Sequence, residues 1–228
     1  MDEYNDNHNK TKTKLIKKLI SFIIKEGFQQ LRMDDIAKTM DVSRATMYKY
    51  FSSKEEVIES VVNVFVEYIN KLIIQPSEDN ESSFGSRFQQ LFEQSVILAG
   101  YITDVFLKEL QVIYPDAYAR LKGALYQREL HTIGFYQDGM TSGIFNQINE
   151  KFILLQDDVL LREIINIKYL LLNQVSLQQV LHDYYIFKKI QLFKAEKLVI
   201  VDDSRMTPII DHIVQSITVP YKKSTKPA

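Results

Sequence analysis

The stretch from Met33 to Phe51 constrains this chain more than any other. Met33, Ile36, Ala37 and Met40 follow the i, i+3, i+4, i+7 spacing of a short amphipathic helix. Asp41-Val42-Ser43 leaves room only for a tight reversal. Ser43 is an N-cap whose hydroxyl accepts from the backbone N–H of Ala45 or Thr46, and it predicts a helix running to about Phe51. Two short helices crossing at such a turn form a helix-turn-helix, in which the second helix enters the DNA major groove while the first braces it. Ile36 and Ala37 then pack on Val42 and Met47, leaving Arg44, Ala45, Thr46, Tyr48 and Lys49 directed outward. Arg44 can donate a two-pronged pair to guanine O6 and N7, and a methyl of Ala45 or Thr46 can meet the thymine methyl. Tyr48, Lys49 and Lys54 suit phosphate oxygens, which the helix N-terminus also favours. From the turn alone, a helical hairpin with a polar outside competes with this reading.

Charge is distributed unevenly. The 228 residues sum to a net charge of -1, yet Lys10 to Lys54 carry 11 Lys and Arg against four acids, a balance of +7 that leaves -8 elsewhere. A basic module on an acidic body is the pattern expected when one end meets phosphate. An ordinary solvated helix face gives the same pattern, so charge does not decide by itself.

Before the turn, Leu15, Ile16, Leu19, Ile20, Phe22 and Ile23 predict a first helix stopped by Gly27, with a polar, frayed segment 1–9 ahead of it. After it, a cap at Ser52 or Ser53 precedes a long helix through Val57, Val61, Phe65, Tyr68 and Leu72. Pro76 to Ser83 has no apolar residue and predicts a surface connection. Helices follow at roughly 84–98, 100–113, 116–140, 155–173, 177–198 and 207–217. With seven Gly and five Pro, the expected fold is all-α: a three-helix DNA-binding domain over 10–56 and a larger helical effector-binding and dimerisation domain over 57–228.

The chain has no cysteine, which excludes disulfides, thiolate zinc sites and thiol redox sensing, and fits a reducing cytoplasm. No apolar run approaches the roughly 18 residues of a membrane span, and the amino-terminal residues do not read as a signal peptide. His8, His131, His182 and His212 are scattered, so no metal site is expected. Glycine-rich phosphate loops, GxSxG elbows and cysteine nucleophiles are absent too, and neither a cofactor nor an enzymatic activity is expected.

The run from Ile36 to Glu56, with its Ile36-Ala37 pair, Val42-Ser43 turn, Tyr48-Lys49-Tyr50-Phe51 and Ser53-Lys54-Glu55, resembles the N-terminal signature of the TetR (tetracycline repressor) family; the likeness extends from about Lys14 to Ile58. The resemblance implies that Tyr48 and Lys54 hold phosphates while Arg44, Ala45 and Thr46 read bases. Ser43, Lys49, Arg32 and Met33 complete the candidate DNA-binding set. Arg32 stands where the family usually has a capping Thr. Asp41 replaces a turn glycine, tolerable because Asp visits the left-handed conformation more readily than most residues.

Beyond the fourth helix the resemblance fades. Twelve aromatic residues between Phe84 and Phe152 supply rings for an apolar pocket or an ordinary core, and the expected wall is Phe88, Phe92, Tyr101, Phe106, Leu110 and Tyr126. Residues Val159 to Leu172 are apolar round most of a cylinder, which implies burial on two sides. The resemblance implies that the helices near 155–173 and 207–217 pair with twofold mates, with Leu161, Ile165, Ile210 and Ile213 as candidate interface residues. A homodimer reading a palindrome follows, released by a small apolar or amphipathic effector, with helix four as the expected link. An activator or architectural DNA-binding protein without effector, and a helical adaptor or enzyme, are the alternatives.

Overall fold

A computed structural model of the chain describes residues 2–71 and 81–218, with side chains from residue 8 onward. Its helices are α1 (Asp2–Glu26), α2 (Met33–Met40), α3 (Arg44–Tyr48), α4 (Lys54–Lys71), α5 (Ser82–Tyr101), α6 (Asp104–Ile113), α7 (Pro115–Thr141), α8 (Glu150–Ile164), α9 (Ile167–Asn173), α10 (Leu177–Leu192) and α11 (Met206–Thr218). Two 3-10 segments, Ala195–Ile200 and Asp203–Arg205, join α10 to α11. Among the described residues the only extended pairing is an isolated bridge between Phe145 and Phe193. The fold is all-α.

The caps explain most boundaries. Thr103, Asn149, Asn166 and Ser176 each accept a backbone N–H of the following first turn, opening α6, α8, α9 and α10. Pro115 opens α7, where its missing N–H and fixed φ are harmless. Three expectations are corrected. Residues 2–9 extend α1 rather than fray, and the His8 ring rests on Tyr50 at 4.7 Å. The run 155–173 is two helices, because Asn166 turns its side-chain oxygen onto the Lys168 N–H at 2.9 Å and starts a new one. The expected connection 76–83 is helical at Ser82 and Ser83, while 76–80 lie outside the described residues.

Packing divides the described residues into two compact units, 2–71 with 102–126, and 81–101 with 127–218. The 56/57 boundary read from the sequence is therefore not the packing boundary. In the first unit α1 packs on α2, α4 and α6. Its core includes Ile16, Leu19, Ile23, Met47, Val61 and Phe106, all at or near zero exposure. Each such side chain contributes roughly 1.5–3 kcal/mol of burial. Phe106 meets Phe28 and Phe65 edge-on, at 5.9 and 5.6 Å between ring centroids.

In the second unit α5 packs on α8 and α11, and α10 on α8 and α11. Its centre is a chain of rings: Phe88 on Tyr185 (5.4 Å), Phe145 on Phe193 (4.8 Å) and Phe135 on Phe145 (5.2 Å). Gly139 permits this, since a Cβ there would lie 2.0 Å from the Phe145 ring.

Candidate nucleic-acid interface

The interface is built by three helices and two tight connections. Helix α2 begins at Arg32, which has no hydroxyl to cap it; instead the Arg32 N–H donates to Asp35 Oδ2 at 3.2 Å. Its inner face, Ile36, Ala37, Thr39 and Met40, is buried. The helix closes on Asp41 in the left-handed conformation (φ 59, ψ 49), from which Val42 N–H returns to Ala37 O at 3.1 Å. Lys18 of α1 adds a hydrogen bond to Met40 O, at 3.1 Å. The turn is thus pinned from two sides.

Ser43 then caps α3. Its Oγ accepts the Thr46 N–H at 3.0 Å and lies 2.8 Å from Thr46 Oγ1. Helix α3 is shorter than the sequence predicts, ending at Tyr48, because Tyr50 and Phe51 both send their N–H to Met47 O and tuck the Phe51 ring inside. Met47 is the single fully buried residue of α3 and anchors it. Ser43, Arg44, Ala45, Tyr48 and Lys49 are exposed and Thr46 half-buried, so one turn of helix presents a cation, a methyl and two hydroxyls together. Arg32 is exposed and Met33 half-buried at the start of α2.

The first turn of α4 is held by the same part of the fold. Lys54 Nζ donates to Gln29 O at 2.9 Å and sits 6.0 Å from the Phe28 ring; partial burial lowers its pKa, while Glu109 opposes that. Glu56 accepts Lys12 Nζ (2.6 Å), Ser52 N–H (2.8 Å) and Ser52 Oγ–H (2.9 Å), which together hold its carboxyl at about 2. Glu109 of α6 accepts the N–H groups of Phe28 (2.5 Å) and Gln29 (3.0 Å), fixing the loop that carries Lys54's acceptor. Sequence reasoning missed Asp34, which pairs with Arg44, and Glu109. Only the opposite charge of Asp34 hinted at its role; Glu109 lies some 80 residues from its partners and carries no local signal.

The expected pocket wall is corrected. A cavity of about 20 Å³ lies in the second unit, lined by Phe88, Leu91, Phe92, Ser95, Phe135, Tyr136, Asp157, Leu161, Tyr184 and Lys188. Of the expected wall, Phe88 and Phe92 line it. Phe106 and Leu110 are buried in the first unit, Tyr101 donates its hydroxyl to Ser216 O at 3.0 Å, and Tyr126 is 56% exposed.

The candidate interface set is corrected likewise. Leu161, Ile210 and Ile213 are buried in the chain's own core and Ile165 is half-buried against it, since α11 packs inward on α5 and α10. Exposed apolar residues stand elsewhere, among them Phe152, Leu155 and Val159 on α8, Ile167, Leu171 and Leu172 on α9, and Phe187 and Ile190 on α10.

Among the described residues no helix is long and apolar enough to cross a membrane, and no cluster of His, Asp or Glu is placed to hold a metal.

Residues 15–61 match the family described as bacterial regulatory proteins, tetR family. The chain is 30% identical over 82 residues to the biofilm operon icaADBC HTH-type negative transcriptional regulator IcaR of Staphylococcus aureus, and 28% identical over the same length to that of Staphylococcus epidermidis. Each match covers 36% of this chain and 44% of the relative, so the chain spans less than half the length of the curated relatives it matches. The fold is similar to that of the ketosteroid transcriptional regulator KstR2 of Mycobacterium tuberculosis (TM-score 0.56, 16% identity, 81% of this chain and 95% of that one). It is also similar to that of the fatty acid degradation regulator FadR from Bacillus halodurans (TM-score 0.50, 19% identity, 78% and 94%). The match to the tetR family of bacterial regulatory proteins thus falls on the residues whose turn, caps and buried face are described above, and the rest of the chain lies outside it.

Proposed function

We propose that the protein is a homodimeric, sequence-specific DNA-binding repressor of transcription, released by a small apolar or amphipathic effector. The observation that carries the reading is α3: a capped turn of helix anchored by Met47, with Arg44, Ala45 and Tyr48 on its open side. Arg44 supplies the two-pronged donor for guanine and Ala45 and Thr46 the methyls for thymine. Tyr48, Lys49, Lys54, Arg32, Met33 and the Ser43 cap lie against the backbone. Residues 10–56 read the DNA, and 57–228 bind effector and dimerise.

The likeness to a negative regulator supports repression over activation. The exposed apolar stripes of the neighbouring helices α8 and α10 support a homodimer through those helices, with a palindromic operator as the consequence. The cavity beside Phe88 and Phe92 supports the effector. Ala117 and Leu121 of α7 are buried in the first unit, and Phe135 and Tyr136 of the same helix line the cavity of the second. A coupling of about 1–3 kcal/mol between effector and DNA binding is sufficient for release. Action on the chromosome supports a cytoplasmic protein whose role is regulatory rather than catalytic.

The test is duplex binding by the Arg44→Ala, Tyr48→Ala double variant. The expected result is a loss of about tenfold or more on the operator with a shallower salt dependence. Unchanged affinity that ignores salt would transfer the head to protein contacts.

A further inference from the structure

We propose that the cavity between α5, α7, α8 and α10 takes the carbonyl oxygen of a small, neutral, apolar molecule, with Lys188 as the donor that holds it. This rests on the reading of the second unit as effector-binding and names the class of effector.

The polar groups of the wall are balanced in charge. Lys188, its side chain 4% exposed, donates to Asp157 Oδ1 at 2.6 Å, and the two make a neutral pair. Phe88, Leu91, Phe92, Phe135 and Leu161 supply an apolar surface to the same cavity. A ligand ion of either sign would bring a charge that this wall does not cancel, and an unpaired charge among rings is strongly unfavourable. The ligand is therefore neutral.

The same groups are not balanced in hydrogen bonds. Asp157 is supplied from three sides: besides Lys188, the hydroxyl of Tyr184 donates to Oδ1 and that of Tyr136 to Oδ2 at 3.4 Å. Burial and the nearby Asp157 charge raise both phenols, so they stay protonated and remain donors. Lys188 is short of acceptors. Of the three N–H donors of its ammonium, Asp157 takes one and the Tyr136 ring, its centre 5.9 Å away, offers a face to one more; among the described residues the third meets none. Ser95 adds to the surplus, since its Oγ accepts from Arg128 Nη2 at 2.9 Å and keeps its own proton to give.

A group that only accepts completes this set. A carbonyl oxygen is such a group, with two lone pairs, no proton and no charge. Water can meet the same N–H, so the carbonyl compound gains over water through the apolar body that it also removes from solvent. The volume of about 20 Å³ fits one water-sized group, enough for the oxygen. The body behind it has to part Phe88, Phe92 and Phe135, so filling the site displaces side chains of α5 and α7.

The experiment is calorimetric titration of the full-length protein with acetophenone and cyclohexanone against ethylbenzene, benzoate and benzylamine, with DNA binding measured in parallel. Acetophenone is expected to bind about tenfold or more tighter than the other three aromatic compounds. Its carbonyl stretch when bound, read by infrared difference spectroscopy, is expected to lie below its value in an alkane solvent. The Lys188→Met, Asp157→Asn double variant removes the donor without leaving a buried unpaired charge, and is expected to erase the preference over ethylbenzene. If that variant does not fold, the wild-type series and the infrared shift still decide. Benzoate, benzylamine or ethylbenzene binding as tight as acetophenone, a preference unchanged in the double variant, an unshifted carbonyl stretch, or no ketone binding overturns the proposal. A ketone that binds without altering DNA affinity overturns the effector reading and leaves the site standing. DNA release by benzoate or benzylamine, with the ketones inert, does the reverse.

Discussion

The guanidinium of Arg44 lies along the carboxylate of Asp34, with Nε 3.2 Å from Oδ1 and Nη1 3.4 Å from Oδ2, and its charge sits 5.7 Å from the centre of the Tyr48 ring. The base-reading candidate is thus held in one orientation by the helix that braces α3. Both partners are more than half exposed, so the pair contributes well under 1 kcal/mol to folding. Its effect falls on recognition. Asp34→Ala is expected to leave thermal unfolding unchanged, to tighten binding to random duplex by removing a negative charge beside phosphate, and to narrow the ratio between operator and random DNA. Fluorescence anisotropy on both duplexes measures this, and an unchanged ratio counts against an orienting role. Arg44→Ala is expected to cost about 1–3 kcal/mol on the operator.

The loop before α2 depends on a close approach. Gly27 has φ +74, and a Cβ there would lie 2.5 Å from Glu109 Oε1, the carboxylate that accepts the Phe28 and Gln29 N–H groups. Gly27→Ala therefore suffers both a strained backbone and a clash, about 1–3 kcal/mol together. Glu109→Ala leaves two N–H groups without their acceptor, about 1–3 kcal/mol. A double-mutant cycle by urea unfolding is expected to be non-additive, because removing Glu109 relieves the clash and leaves only the strain. Strict additivity would place the Glu109 contact outside the stable fold.

Acid stability has a definite sign at Glu56. Lys12 and the Ser52 backbone N–H hold its folded pKa at about 2, below the ordinary 4.5. The contribution is therefore fully present above about pH 4.5 and is lost as pH falls through 2. The carboxylate is partly exposed, which limits the effect to about 1 kcal/mol. Wild type is expected to exceed Glu56→Gln in melting temperature at neutral pH, with the gap closing in acid. A gap that widens in acid has the wrong sign for this interaction.

Interface and core separate cleanly by substitution. Leu155→Glu with Val159→Glu on the exposed stripe of α8 is expected to give a folded monomer in light scattering and a large loss of operator binding. Ile213→Ala, by contrast, empties a fully buried position and is expected to cost about 2–5 kcal/mol of folding stability. Dimers that persist in the α8 variant would move the interface elsewhere.

Local chemistry made the head legible from sequence. The spacing of Ile36, Ala37 and Met40 fixes α2, the Ser43 cap fixes the start of α3, and Asp41 takes the left-handed turn that its short polar side chain tolerates. The body was less legible, because a list of rings does not say which unit each one joins. Phe88 and Phe106 look alike in sequence, yet one lines the cavity and the other supports the head. Helix α11 reads as a spare apolar surface because its partner α5 is distant in sequence. Asn166 carried the signal for the break between α8 and α9, a cap residue within an apolar run.

The claim that α3 reads a duplex as one of a symmetric pair is tested most directly by selecting bound DNA from a random pool with the purified full-length protein. The account predicts a palindrome whose half-site centres lie about one helical turn apart, roughly 34 Å or somewhat more, and whose enrichment vanishes in the Arg44→Ala, Tyr48→Ala variant. Recovery of no common sequence, or of the same sequence by that variant, contradicts it.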